Sequence, residues 1–229
     1  MGLRILGCSG GGRQSARTTA FRLGESILLD AGSGVGDLEL VEMASIRHIF
    51  LTHAHLDHVT FLPLLLDSVF ERLTEPVTVH ALPETCRALG EHLFNGVIWP
   101  DFTVLPAAAN PVVRLCPMEP GEVRMQEGWT VEMLPVRHAV PAAGYRFTDG
   151  ASALAFTGDC TTNDSLWPAL NAGGRLDHLL AEAAFPNAMV DRITPVTSEA
   201  DVTELGERFG VEDAWPVVCE PFTQWVLED

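Results

Sequence analysis

The sequence predicts a mixed α/β fold: one domain, residues 1–229, of two mixed sheets with helices outside them. Three observations predict it. Strand-like runs crowd both halves of the chain, and each crowded half is followed by helical stretches. No linker, low-complexity tract or solenoid-length repeat interrupts the 229 residues, of which 47% are hydrophobic. Chemistry-bearing residues recur where apolar strands end, at His53, His138 and Asp159.

Leu3 to Gly7 is an apolar strand ended by Ser9-Gly10-Gly11-Gly12. That turn precedes no helix and lacks the phosphate-loop pattern, so it reads as a tight connection between strands. Thr18 to Leu23 and Ser26 to Asp30 form a hairpin around Gly24-Glu25. Asp30 then either orients a ligating histidine from behind or caps a turn. Residues 37–44 are a short amphipathic helix, Ile46 to Leu51 a strand, and 58–73 a helix with Pro63 tolerated in its first turns. Val77 to His80 is a brief strand and Glu84 to Asn95 a helix started by Leu82-Pro83. His80 and His92 read as structural or surface histidines.

Trp99-Pro100-Asp101-Phe102 is a rigid aromatic turn. Across 103–134 short strands alternate with Pro and Gly turns, among them Val112 to Leu115 and Thr130 to Leu134. A strand ends at Val136-Arg137-His138. Tyr145 to Phe147 and Ala153 to Phe156 flank Asp149-Gly150 as a hairpin, whose second strand runs into Thr157-Gly158-Asp159-Cys160. Leu166 opens a helix, Leu176 to Ala181 is a strand, Glu199 to Phe209 a surface helix, and Ala214 to Cys219 the last strand.

Composition excludes several classes. Net charge is −17, and all 14 basic residues are arginine. A surface this acidic repels a polyanion, so nucleic acid is not expected as a partner. A small anion is still admissible where metal ions supply positive charge. Without lysine there is no Schiff-base chemistry. No stretch approaches the roughly 20 apolar residues of a membrane span. Only seven residues precede Cys8, too few for a lipoprotein signal, and a cytoplasmic setting is expected. The five cysteines (8, 86, 116, 160, 219) are scattered and lack a CxxC pair, and they read as reduced thiols.

The densest chemistry is Thr52-His53-Ala54-His55-Leu56-Asp57-His58, four metal-capable side chains within six residues at a strand-to-helix loop. His53 and His55 are two apart, so in extended chain they point to one side. Asp57 and His58 come as the chain turns into the helix and face a second point nearby. One histidine pair and one Asp-His pair suit two neighbouring divalent cations such as zinc, with iron or manganese accepted by the same donors.

With the later His138 and the strand-end Asp159, this motif resembles the metallo-β-lactamase superfamily. The chain resembles more narrowly the class II 3′,5′-cyclic-nucleotide phosphodiesterases. That likeness runs through Leu6-Gly7-Cys8-Ser9-Gly10-Gly11, the metal motif, Leu64-Leu65-Leu66-Asp67-Ser68-Val69, and His92-Leu93-Phe94-Asn95-Gly96-Val97-Ile98-Trp99-Pro100-Asp101-Phe102. The resemblance covers residues 1–185. It implies a four-layered αββα sandwich with the metals along one edge of the sheets. It makes His53, His55 and His138 ligands of one metal, Asp57 and His58 ligands of the second, and Asp159 the bridge. It implies hydrolysis of a cyclic nucleotide, cyclic AMP first, to the 5′-monophosphate by a hydroxide held between the metals. Asp57 would accept or orient the proton, and a homodimer is the family's habit.

The chain departs from the family at two stations. A histidine is usual in a Gly-His-Leu-Thr-Pro-like stretch, where this chain reads Asp191-Arg192-Ile193-Thr194-Pro195. Another is usual after the last core strand, which here continues Val217-Val218-Cys219-Glu220-Pro221. Cys219 or Glu220 could substitute, or the second site is weak. Arg192 either stabilises charge in the histidine's place or lies on the surface, and Arg137, Arg146 and Arg192 are the candidate phosphate-binding groups. The alternatives are hydrolysis of a thioester, lactone, lactam or other phosphodiester, and a non-catalytic metal- or nucleotide-binding protein with an eroded second site.

Overall fold

The computed structural model describes residues 2–11, 16–161 and 163–183, together with two strands at 214–219 and 222–228. Its contacts divide into two compact units, 1–119 and 120–229.

The first unit is built on a six-stranded sheet. Its strands are β1 (Leu3–Gly7), β2 (Ala20–Leu23), β3 (Ile27–Leu29), β4 (His48–Phe50), β5 (Val77–Ala81) and, after the small β6–β7 ribbon (Pro106–Ala107, Asn110–Pro111), β8 (Val113–Pro117), in the order β1-β2-β3-β4-β5-β8. The hairpin expected around Gly24 is present, with Phe21 opposite Leu29. β3, β4, β5 and β8 run parallel. Parallel strands buried on both faces need near-continuous apolar sequence, which Ile27-Leu28-Leu29 and Ile49-Phe50-Leu51 supply. Parallel pairing also puts the C-terminal ends of β3, β4 and β5 at one edge, and Asp30 and the metal motif follow β3 and β4 there.

The helices are α1 (Leu40–Met43), α2 (Leu56–Val59), α3 (Leu62–Val69) and α4 (Pro83–His92). Leu62, Leu65, Leu66 and Val69 recur with the helical period and join Ile49, Val77, Val79 and Val113 in one core. The single helix expected over 58–73 is instead α2, α3 and a 3-10 turn at Phe70–Arg72. Phe61 breaks it by donating its N–H to the carbonyl of Ala31 (2.9 Å), outside the helix. The helix expected over 37–44 shortens to α1, entered through a Glu39–Glu42 capping box.

The second unit carries β9 (Val123–Gln126), β10 (Trp129–Val136), β11 (Ala142–Thr148), β12 (Ala153–Phe156), α5 (Leu166–Ala172), β13 (His178–Ala183), β14 (Ala214–Cys219) and β15 (Phe222–Glu228). Its strand order is β14-β15-β13-β12-β11-β10-β9. β10 and β12 both run antiparallel to the intervening β11, so they end at the same edge. Leu166 and Leu170 of α5 pack with Leu134, Ala155, Leu179 and Ala181. Sequence reading stops at β14, because Pro221 masks the run that becomes β15.

Cys86, Cys116 and Cys160 form no disulfide, as expected, whereas Cys8 is disulfide-bonded and corrects the expectation of five reduced cysteines. Arg192, Glu220 and the helix expected over 199–209 lie outside the described residues, as does the Cys219 side chain. No helix among the described residues is long and apolar enough to cross a membrane.

Candidate metal centre

In the first unit, the loop after β4 holds His53, His55, Asp57 and His58. The His53 ring lies edge-on to His55, with centroids 4.5 Å apart, and tilted against His58 at 4.2 Å. A ligand atom of His53 and one of His55 lie within 4.8 Å of each other, and the same holds for Asp57 and His58. The residues of each expected pair lie together, and His53 is as near to His58 as to His55. His53 and His58 are fully buried, while Asp57 keeps about a quarter of its side chain exposed.

Two residues behind the histidines set their orientation. Asp30 accepts from the Thr52 backbone N–H (2.8 Å), from the Thr52 hydroxyl (2.9 Å) and from His58 Nδ1 (2.8 Å). The single Thr52 hydroxyl proton goes to Asp30, so Thr52 Oγ1 accepts from His53 Nδ1, 3.0 Å away. Both imidazoles then carry their proton on Nδ1 and present the lone pair of Nε2, which can ligate a cation. This network is the physical test of fit, and the donor set passes it. Of the two readings open for Asp30, the structure selects the orienting one.

Asp30 holds this place at a cost. Its φ is +57°, a left-handed conformation uncommon outside glycine, and its carboxylate is completely buried. Burial pushes the carboxyl above its ordinary range, against the pull of His58 and Thr52. The adjoining turn is tied to the metal loop: Ala31 N–H donates to the carbonyl of His58 (2.7 Å). A Cβ at Gly32 would collide with the backbone carbonyl of Asp57, so only glycine lets the two segments approach.

In the second unit, His138 follows β10 and Asp159 follows β12. His138 Nε2 lies 4.0 Å from Asp159 Oδ2. Gly158, at φ +62°, makes the left-handed turn that delivers Asp159. Thr161 N–H donates to the carbonyl of Arg137 (2.8 Å) and fastens the two strand ends together.

The arginines expected to bind phosphate divide. Arg137 is exposed beyond β10. Arg146 is only 5% exposed, and its guanidinium donates to the carbonyls of Leu170 (3.1 Å) and Arg175, securing the end of α5. Burial lowers its pKa, opposed by Glu132 and Asp177. That placement makes Arg146 a structural group. His80 is buried, stacks on Phe50 at 4.5 Å and meets His48 at 3.2 Å, and His92 is exposed on α4, as their structural readings require. Thr52, which meets both Asp30 and His53, is the residue of this network that the sequence left unassigned.

Comparison with known proteins bears on the fold and the family. Three solved structures share the fold. Unliganded yeast PDE1 is similar at TM-score 0.69 and 18% identity, over 92% of this chain and 84% of that one. The metallo-β-lactamase fold protein YhfI from Bacillus subtilis is similar at 0.63 and 18%, over 81% and 71%. Human tRNase Z, short form, is similar at 0.63 and 19%, over 90% and 87%. Among curated proteins, a stretch of 48 residues is 75% identical to mannitol 2-dehydrogenase of Aspergillus fumigatus, 21% of this chain and 10% of that protein. The enzyme of the same name from Pyricularia oryzae is 60% identical over 53 residues, 11% of its length. The chain thus spans about a tenth of the curated relatives it matches. The model of the beta-lactamase superfamily domain matches residues 25–216, most of the chain, and with that fold the protein belongs to the metallo-β-lactamase-fold hydrolase family.

Proposed function

We propose that the protein is a metal-dependent phosphodiesterase of a small 3′,5′-cyclic nucleotide, with cyclic AMP the first substrate to test. The observation that carries the metal-dependent part is the pre-orientation of His53 by Thr52 and of His58 by Asp30. Buried imidazoles held in one tautomer are worth their cost where a cation is bound. The narrower substrate rests on the motif stretches of residues 6–11, 64–69 and 92–102.

In this reading His53, His55 and His138 hold one divalent cation, Asp57 and His58 hold a second, and Asp159 serves both. Zinc suits these donors, as do iron and manganese. Such cations, when bound, neutralise phosphate oxygens and acidify water. The chain's own residues do the rest. Asp57, partly exposed beside His58, takes a proton at its carboxylate. Arg137 is the described arginine left to meet a phosphate, and Arg192 is the second candidate. A net charge of −17 favours a small substrate over a nucleic acid. A cytoplasmic setting and a homodimer belong to the same proposal.

The test is a product assay on the full chain loaded with zinc or manganese. Cyclic AMP, a linear phosphodiester, a thioester and a lactone are offered in parallel. Formation of 5′-AMP that is abolished by His53→Ala and Asp159→Asn supports the proposal. Turnover of the thioester or lactone alone moves the protein to those substrates. No turnover of any of them by metal-loaded protein leaves the non-catalytic binding reading.

A further inference from the structure

Leu56 stands between two of the candidate ligands, His55 and Asp57, and it is the one exposed residue in 51–60; the others are buried or half-buried. At 72% it is the most exposed leucine among the described residues. A single surface leucine needs no explanation in general. This one is set apart by its address and by the backbone that carries it.

Leu56 opens α2, directly after the cap residue His55. Helical side chains lean toward the N-terminus of their helix, which from Leu56 is back over the loop holding His53 and His55. The residues α2 buries are His58 and Val59. The backbone beneath the leucine is fixed. His58 N–H donates to the carbonyl of His55 (3.0 Å), and Gly32 packs against the carbonyl of Asp57. The apolar side chain is thus held in solvent on a braced turn, with a candidate ligand on either side.

We infer that Leu56 is a specificity-determining contact: it receives the sugar or base of a nucleotide whose phosphodiester lies at the cations, and so selects nucleotides over bare cyclic phosphates. This rests on the phosphodiesterase reading above. A phosphate drawn to cations held on both sides of Leu56 brings the group it carries over the leucine. Covering the leucine removes apolar surface from water, and on a braced backbone little ordering opposes the contact. A phosphate without sugar or base gains none of this. The contact is the same before and during the reaction, so it acts on KM and leaves kcat.

The experiment compares cyclic AMP with the cyclic phosphate of propane-1,3-diol, which has the same six-membered ring and neither ribose nor base. The full chain, loaded with zinc or manganese, is assayed as wild type, Leu56→Ala and Leu56→Met, with the small phosphate as a competitor. In Leu56→Ala the KM for cyclic AMP should rise about 10-fold, with kcat and the inhibition constant of the small phosphate kept. Binding of 5′-AMP, measured by calorimetry, should weaken by the same factor. Leu56→Met should restore both, and the metal content of each variant should match the wild type. An unchanged KM in Leu56→Ala overturns the inference and leaves the phosphodiesterase reading standing. Lost metal in that variant would make the leucine a prop of the loop, and a changed oligomeric state with unchanged KM would make it a subunit contact; either overturns the inference. If the metal-loaded wild type does not hydrolyse cyclic AMP, the phosphodiesterase reading has failed and the inference falls with it.

Discussion

Asp30→Asn isolates the charge behind the metal loop. Asparagine matches aspartate in shape and tolerates a φ of +57°, so the backbone is left alone. The amide oxygen still accepts from the Thr52 N–H at 2.8 Å. Its NH₂ group replaces the oxygen that His58 Nδ1 meets at 2.8 Å, and two donors then face each other. To pair, His58 must move its proton to Nε2, the nitrogen a cation needs. Hydrogen bonds to a buried charge contribute about 1.5–3 kcal/mol each, and one is lost outright. The loss of stability should therefore be about 2–3 kcal/mol, with zinc affinity down about 10- to 100-fold. Urea denaturation of metal-depleted protein reads the first quantity, and chelator competition reads the second. A variant with wild-type stability and wild-type zinc affinity would refute the role given to Asp30.

Other perturbations separate structure from chemistry. Arg146→Met should cost about 2–3 kcal/mol, because the carbonyls of Leu170 and Arg175 lose a buried cationic donor, while zinc content stays unchanged. A raised KM with unaltered stability would return Arg146 to substrate binding. Gly32→Ala should lower both folding yield and retained zinc, since the new methyl group meets the Asp57 backbone; a soluble variant with normal zinc content would contradict that packing. Burial pushes the Cys86 thiol up to about 11, so at pH 8 its thiolate is about 100-fold scarcer than that of an ordinary thiol near 9. Alkylation of native protein should slow by that factor, and the stability conferred by the neutral thiol should fade as pH rises from about 9 through 11. Rapid native labelling at Cys86 would show the site to be open.

The clustering of the candidate ligands in the loop after β4 was legible because their spacing is local. Two histidines two apart and an Asp-His step need no long-range information to form pairs. Strand ends at His138 and Asp159 were legible from apolar runs that stop at polar residues. What joins them to a working arrangement was not: the Thr52 hydroxyl depends on a carboxylate 22 residues earlier, and any threonine before a histidine looks the same in sequence. Arg146 was misjudged for a related reason. A buried arginine and a phosphate-binding one share the same letter, and only the carbonyls at the end of α5 tell them apart. The break between α2 and α3 was likewise invisible, since it depends on Phe61 finding the carbonyl of Ala31.

The Asp30–Thr52–His53–His58 network also has a consequence in time. All four residues lie within the first 58 of the chain, and their mutual hydrogen bonds are internal to the unit that ends at residue 119. During synthesis at about 5–20 residues per second, Asp159 is added roughly 2–8 s after residue 119. The residues that orient both imidazoles are thus all translated, within one unit, before His138 and Asp159 are added. The order in which the candidate metal-binding groups are made is built into the sequence, with the histidine pair first and Asp159 last.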